Sequence, residues 1–354
     1  MTKTNVAILF GGISNEHEIS CLSAKSILQE IDRTKFEITP IGITKSGEWV
    51  VFKDPLDFST QTKLPQIDRE LIENFAKDKP TQNPPLELIQ ADVVFPILHG
   101  AWGEDGTVQG LLELHKVAYV GSGVLASSIG MHKPLMKLLF RQAGLLVSNW
   151  KTFTQKDWEQ DRSQVSNEIA DLNYPLFVKP ARGGSSVGIS KVEREADLIG
   201  AIEEALKHDA IVLVEEGITQ AREIECGVLD GARRIVSVPA EIKVNPQHEF
   251  YDYQAKYLEE GAELVVPADL TSSQVKEISE LALLAFKSLG CEGLARVDFF
   301  LRANGELFLN EINTMPGFTP ISMYPRTFAA SGIGFKELIT QMLVEALSRE
   351  RGLR

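Results

Sequence analysis

The sequence predicts an α/β unit followed by strand-rich α+β lobes, and three observations carry that expectation. An apolar run from Val6 to Phe10, a Gly11-Gly12 turn, helically spaced apolar residues from Ser20 to Ile31 and a second run from Phe36 to Ile43 make a βαβ opening. Between Lys133 and Glu215 short strand runs alternate with helical segments, the pattern of a small α+β lobe. From Glu223 the pattern turns strand-rich and ends in a hairpin. With 354 residues the chain exceeds what one core usually serves. Two or three domains of roughly 100 to 150 residues are expected, with room for a deep cleft between them.

After the opening unit, Asp54 to Pro85 is polar and proline-bearing and reads as a surface excursion. Ala91 to Leu98 is the next strand, Val108 to Leu114 a helix and Ala118 to Val120 a short strand, and the unit ends near Gly121-Ser122-Gly123. Lys133 to Ala143 suits a helix, Leu176 to Lys179 a strand, Gly183 to Gly188 a loop and Ile189 to Val192 a short strand. Ala196 to Leu206 has helical periodicity and Ile211 to Glu215 is again a strand. A polar aromatic stretch, Phe250 to Tyr257, precedes a helix from Ser272 to Leu289. Val297 to Leu301 and Glu306 to Ile312 then pair across an Ala303-Asn304-Gly305 turn. No internal repeat is evident.

An apolar share of 44% with 24% charged residues is ordinary for a globular protein and excludes a disordered chain. The net charge of −13 argues against a general nucleic-acid binder, because phosphate backbones need a basic surface. Cys21, Cys226 and Cys291 lack CxxC spacing, which excludes a zinc ribbon and suits small buried residues in a reducing compartment. Val6 to Phe10 is too short for a signal sequence and no later run reaches the roughly 18 apolar residues of a membrane span. No membrane association and a cytoplasmic location are expected.

The hairpin carries the most chemistry. Its pairing brings the ends bearing Asp298 and Glu311 side by side, and period-two alternation puts Glu311 and Asn313 on one face. Two carboxylates and an amide suit Mg²⁺, which prefers oxygen ligands and shares its coordination with substrate phosphates. Lys179 at a strand end precedes the loop Gly183-Gly184-Ser185-Ser186-Val187-Gly188, whose glycines let backbone N–H groups close over phosphate oxygens. The lysine precedes the glycines, so this is not a Walker-type P-loop. Val212 to Ile218 ends an apolar strand with Glu215 and Glu216, one of which can accept from ribose hydroxyls while the strand-end backbone meets an adenine edge and Ile218 its face. Tyr251 to Tyr257, dense in phenols and containing Lys256, reads as a mobile loop closing over substrate. Gly11-Gly12 lacks the third glycine of a dinucleotide fingerprint, and Glu16 suits a cationic amine rather than a pyrophosphate. His99-Gly100, followed by Gly103-Glu104-Asp105-Gly106, sits where ligands collect on open parallel sheets.

Taken in order, these motifs resemble the D-alanine–D-alanine ligase family of the ATP-grasp superfamily over nearly the whole chain. The segments that carry the resemblance are GGISNEHEIS, LHGAWGEDGTVQGLLE, YVGSGVLAS, KPARGGSSVG, YDYQAKY, RVDFF and NEINTMPGFTPISMYP. It implies a Rossmann-like N-terminal domain over residues 1–125 with the first D-alanine site, then a two-lobed ATP-grasp fold. Its central lobe would span 126–217, and its C-terminal lobe 218–354 would hold the mobile loop, the metal site and the second D-alanine site. Lys133, Lys179 and Lys256 would serve ATP phosphates, Glu215 and Glu223 the ribose, and the backbone around Glu216 and Ile218 the adenine. Asp298, Glu311 and Asn313 would hold two Mg²⁺ ions, or Mn²⁺. Glu16 would take the ammonium of the first D-alanine, with Ser185 and Tyr257 hydrogen-bonding beside it and His99 in the substrate pocket. Ser322 and Met323 would receive the carboxylate of the second. Arg296 and the N–H of Gly317 would stabilise the oxyanion of the tetrahedral intermediate. Two positions depart from the family pattern: His132 stands where an aspartate is common, and Gly217 where a bulkier residue often sits beside the adenine. Tyr257 is the variant tied to dipeptide rather than depsipeptide synthesis, and a homodimer is the family expectation. The alternatives are a D-alanine–D-lactate ligase and a catalytically silent nucleotide-binding protein.

Overall fold

The computed structural model describes residues 3–58, 64–244 and 262–350. The opening βαβ expectation holds: β1 (Thr4–Gly11) and β2 (Phe36–Ile43) pair in parallel along their full length across the helix His17–Glu30. Both faces of this sheet are covered, which is why β1 reads as an unbroken apolar run. β3 (Trp49–Val51) adds antiparallel to β2, and β4 (Val93–Pro96) and β5 (Ala118–Tyr119) extend the other edge in parallel, giving the order β3-β2-β1-β4-β5. The strand expected at Ala91 to Leu98 is therefore shorter at both ends.

The reading of Asp54 to Pro85 as a surface excursion needs correction. Leu56, Phe58, Ile67 and Leu71 are buried in the first core, and a helix at Arg69–Phe75, capped by Asp68, lies within the segment. The helix is only seven residues long, so its apolar side, Leu71, Ile72 and Phe75, is too short a run to register as a period. The same core takes in Leu338, Ile339, Met342 and Leu343 of the last helix, Phe335–Ser348, beside Val6, Ile8, Val93 and Phe95. The chain thus returns to its first sheet.

The middle sheet has the order β6-β9-β7-β8, built from β6 (Trp150–Thr154), β7 (Leu176–Pro180), β8 (Ser190–Val192) and β9 (Ile211–Glu216), all antiparallel. The helix expected at 196–206 starts as a 3₁₀ turn, Glu195–Asp197, and runs on as Leu198–Ala205. The last sheet runs β13-β12-β10-β14-β15, with β10 (Ala221–Leu229), β12 (Ala240–Val244), β13 (Ala262–Val265), β14 (Leu294–Arg302) and β15 (Leu307–Asn313); β11 (Ile235–Val236) pairs with β10. One face packs Ile224, Cys226, Val297 and Phe299 against Ile278, Ala282 and Phe286 of the helix Ser272–Ser288. That leaves the opposite face for chemistry. All three cysteines are buried and unpaired, and burial pushes the Cys291 thiol up to about 12. Among the described residues no helix is long and apolar enough to cross a membrane.

Candidate active site

Register builds the polar face of the last sheet. Arg296 lies opposite Asn313 and Asp298 opposite Glu311 across β14 and β15, while Glu225 of β10 lies opposite Asp298 from the other side. Directly opposed residues share a face, so one side of three strands carries Glu223, Glu225, Arg296, Asp298, Glu311 and Asn313. A bulge follows Asp298, where the register shifts to pair Phe299 with Leu309 and leaves Asn310 extra. The Arg296 guanidinium grips Asp298 with two hydrogen bonds of 2.8 and 2.6 Å and meets Glu225 at 3.0 Å. Asn313 Nδ2 also donates to Asp298, at 3.1 Å. Burial opposes the charge on Arg296, but Asp298 and Glu225 outweigh it and hold its pKa well above the usual value.

A second charged cluster lies in the middle sheet. Glu215, at the end of β9 and almost wholly buried, meets Lys137 Nζ at 2.6 Å and Lys179 Nζ at 2.5 Å, and accepts from Ser148 Oγ at 2.6 Å. Burial works to raise the Glu215 pKa, yet the two ammoniums hold it far below the carboxylate range. Lys133, at the start of the helix Lys133–Gln142, donates to the Gly183 carbonyl at 2.7 Å and lies 3.7 Å from Glu311. It links the glycine-serine loop to the hairpin. His132 caps this helix by accepting from the Leu135 N–H at 3.3 Å, so the imidazole does the work of the aspartate common at that position. The other departure has a steric cause. A Cβ at Gly217 would stand 3.0 Å from the Phe177 ring and 3.1 Å from the Pro175 carbonyl, so Phe177 occupies the space a larger residue would fill.

Glu16 faces these groups from the N-terminal sheet. Ser14 Oγ donates to the His99 carbonyl at 2.6 Å and accepts from the Glu16 N–H at 3.2 Å, fixing the turn before the helix His17–Glu30. The Glu16 carboxylate accepts a hydrogen bond from Ser185 of the glycine-serine loop. Ser185 and Ser186 hold φ of +46° and +60°, the left-handed region that side chains rarely enter, and such strain gathers at functional loops. A Cβ at Gly184 would lie 2.5 Å from Glu16 Oε2. Since that atom ends a flexible side chain, Gly184→Ala is expected to push Glu16 aside without unfolding the protein. We expect the KM for one amino-acid substrate to rise about tenfold, a loss of roughly 1.4 kcal/mol of binding, with an unchanged melting temperature. A melting curve and steady-state kinetics check both halves.

His99 is fully engaged by the protein. Its Nδ1 donates to the Met315 carbonyl at 3.2 Å, which leaves Nε2 to accept from Ser23 Oγ at 3.1 Å, and burial lowers its pKa so that the ring is neutral. Ser23 in turn accepts from the Phe318 N–H at 3.3 Å. His99 and Ser23 therefore hold the Met315–Phe318 segment, and with it Gly317, against the first sheet. Ser322 stands at the N-terminal end of the helix Met323–Ala330 without capping it by its side chain, and the backbone N–H groups of that end favour an anion.

The charged groups of both clusters and Glu16 border one cavity of about 710 Å³, within the usual range for small-molecule sites. Glu16, His99, Lys133, Lys179, Ser185, Glu215, Glu216, Ile218 and Glu223 line it, as do Arg296, Asp298, Glu311, Asn313, Gly317, Ser322 and Met323. Lys256 and Tyr257 lie outside the described residues. Sequence reasoning gave no individual role to Lys137, Glu225, Arg326 and Glu104, which also line the cavity. Two of these had a signal: Lys137 stands one helical turn after Lys133, and Glu225 alternates with Glu223 on a strand. Among the described residues no group of three or more His, Cys, Asp or Glu is arranged as a metal cluster. Asp298, Glu311 and Asn313 offer two carboxylates and an amide, an incomplete oxygen shell of the kind Mg²⁺ completes with phosphate oxygens and water.

Comparison with known proteins matches this architecture. A family model described as D-ala D-ala ligase N-terminus matches residues 5–122, and one described as D-ala D-ala ligase C-terminus matches residues 139–344. A D-alanine–D-alanine ligase of Paenarthrobacter aurescens is 47% identical, over 99% of this chain and 97% of its own. The structure of the D-alanine-D-alanine ligase from Coxiella burnetii superposes with a TM-score of 0.83 at 36% identity, covering 99% of this chain and 95% of that one. The VanG D-Ala:D-Ser ligase of Enterococcus faecalis does so with a TM-score of 0.80, also at 36% identity, over 98% of this chain and 100% of that one. With family models spanning both its halves and relatives of this identity along its whole length, the chain belongs to the D-alanine–D-alanine ligase family.

Proposed function

We propose that the protein joins two D-alanines into D-alanyl-D-alanine, coupled to cleavage of ATP to ADP and phosphate, for peptidoglycan precursor synthesis. One observation carries this reading: a single cavity sets lysines and hard-oxygen ligands of two sheets against the carboxylate of Glu16, placed to meet an ammonium, in the N-terminal unit. A carboxylate is a poor acyl donor. In the proposed sequence a carboxylate oxygen of the first D-alanine attacks the γ-phosphorus, the bond to ADP breaks, and D-alanyl phosphate forms. The amine of the second D-alanine then attacks the acyl carbon, and phosphate leaves with the C–O electron pair.

Lys133 and Lys179 would neutralise the phosphates, with Lys256 added from the 245–261 segment. Glu215 has its oxygens engaged by two ammoniums, so we assign it to hold Lys179 in place and leave the ribose to Glu223. Ile218 and the backbone beside Glu216 would bound the adenine. Asp298, Glu311 and Asn313 would hold Mg²⁺ or Mn²⁺, two ions in the family reading, which supply charge neutralisation for phosphoryl transfer. Glu16, with Ser185 and Tyr257, would anchor the first ammonium, while His99 fixes the segment that presents Gly317. Arg296 and the Gly317 N–H would stabilise the oxyanion, and the helix end at Ser322 and Met323 would receive the second carboxylate. The division into units 1–125, 126–217 and 218–354 belongs to the same reading, with the helix Phe335–Ser348 counted with the first core in which it packs. So do a cytoplasmic location and a homodimer.

The test is to combine the protein with ATP, Mg²⁺ and D-alanine and to follow ADP and, by mass spectrometry, the dipeptide. ADP release that does not depend on D-alanine would reject the assignment. D-serine and D-lactate belong in the same assay, because the D-Ala:D-Ser relative superposes so well. Tyr257→Phe is expected to change the ratio of amine to hydroxyl products several-fold while leaving the KM for ATP within about twofold, roughly 0.4 kcal/mol. An unchanged product ratio contradicts the role given to Tyr257.

A further inference from the structure

Gly100 has carboxylates on two sides. Its N–H donates to Glu104 Oε2 at 2.5 Å, and a Cβ built on it would fall 2.7 Å from Glu16 Oε2. Both carboxylates line the cavity. Glu104 sits on a fixed turn: its own N–H donates to the Gly100 carbonyl at 3.0 Å, and Gln109 holds the Gly103 carbonyl at 2.8 Å. The mechanism above gives Glu104 nothing to do. We propose that Glu104 is a substrate-binding residue of the ligation, the second carboxylate beside the ammonium of the amino acid seated at Glu16, and that it releases a proton to solvent when that ammonium binds. The inference rests on the ligase reading.

The physical ground is that two carboxylates packed against one glycine in a partly dehydrated cleft do not both ionise unless a cation joins them. Burial first, and Glu16 next, push the Glu104 carboxyl up to about 8. Of the other groups facing it, Arg296 pulls it down and Glu311 pushes it up. His99, held neutral by burial, adds no charge. An arriving ammonium supplies the missing positive charge. The O–H bond of Glu104 then breaks, the proton passes to buffer, and the ammonium is held between two carboxylates with no covalent change to the substrate. At pH 7 about one proton should leave per ammonium bound.

Calorimetric titration of D-alanine into the full chain, saturated with Mg²⁺ and a non-hydrolysable ATP analogue, reads this directly when repeated in buffers of different ionisation enthalpy. Wild type is expected to release about one proton at pH 7. Glu104→Gln, whose amide oxygen still accepts from Gly100, is expected to release fewer than about 0.2 and to bind D-alanine about tenfold more weakly. A variant with the wild-type proton count and affinity overturns the proposal. If Glu104→Gln fails to fold, wild type at pH 9 decides: Glu104 is then already ionised, release should fall below about 0.2 proton, and an undiminished count overturns it. A wild type that binds the nucleotide but gives no heat with D-alanine at all rejects the ligase reading itself.

Discussion

Arg296→Ala should lower turnover by roughly 100-fold or more while nucleotide binding persists. Arg296 lies on the shared face of β14 beside Asp298 and opposite Asn313, and Gly317, four residues beyond Asn313, lines the same cavity. A donor aimed at developing oxyanion charge acts on the transition state more than on bound substrate, so kcat should fall with little change in KM. The structure adds a second consequence. Truncation leaves Glu225 and Asp298 facing each other without their cation, and breaking a buried ion pair in this way costs about 3–5 kcal/mol. Mg²⁺ with ADP should recover part of that loss, because Asp298 is one of the carboxylates proposed to take the ion. Lost nucleotide affinity with intact chemistry would contradict the oxyanion role, and a melting temperature insensitive to Mg²⁺ would contradict the shared use of Asp298.

The two consequences come from one piece of register, and the hairpin behind it, though not its bulge, could be read from residues alone. Strand-forming runs on either side of Ala303-Asn304-Gly305 fix a hairpin that brings the ends bearing Asp298 and Glu311 together, but regular spacing would oppose Asp298 to Asn310, and the bulge after Asp298 is what sets it against Glu311. The βαβ opening was equally legible, since a strand covered on both faces leaves a continuous apolar run. What composition and period could not convey is charge pairing between distant segments. Nothing around Glu215 announces that Lys137 and Lys179 reach it from other elements, so its carboxylate looked available to a ribose. The helix Arg69–Phe75 escaped notice because its apolar residues, Leu71, Ile72 and Phe75, fill barely two turns, too short a run to show a period. Glu104 was quoted only as part of a loop motif. Its role depends on Glu16, 88 positions earlier in the chain, and only the fold brings both to Gly100.

Glu215→Gln is the other substitution with a large expected effect, and its pH dependence makes it specific. Glu215 is the only anion recorded at bonding distance from both Lys137 and Lys179 among the described residues, and all three side chains are mostly out of solvent. Neutralising it strands two buried ammoniums, so about 3–5 kcal/mol of stability should be lost at pH 7. Lys179 should also lose its fixed position. Burial alone would lower its pKa, and it is Glu215 that outweighs this and keeps it raised. The KM for ATP should then rise at least about tenfold, roughly 1.4 kcal/mol. The sign of the pH effect follows from the depressed pKa of Glu215 in the folded protein. Its stabilisation is complete above the unfolded value, near 4.3, and fades as pH falls toward the folded one. The stability gap between wild type and Glu215→Gln should therefore hold constant from about pH 7 to 5 and narrow by roughly 1.4 kcal/mol per unit below about pH 4. Chemical denaturation of both proteins across that range measures the gap. A gap that stays constant into acid would mean that Glu215 is not held ionised by its lysines, and the positioning role assigned to it would fall with that result.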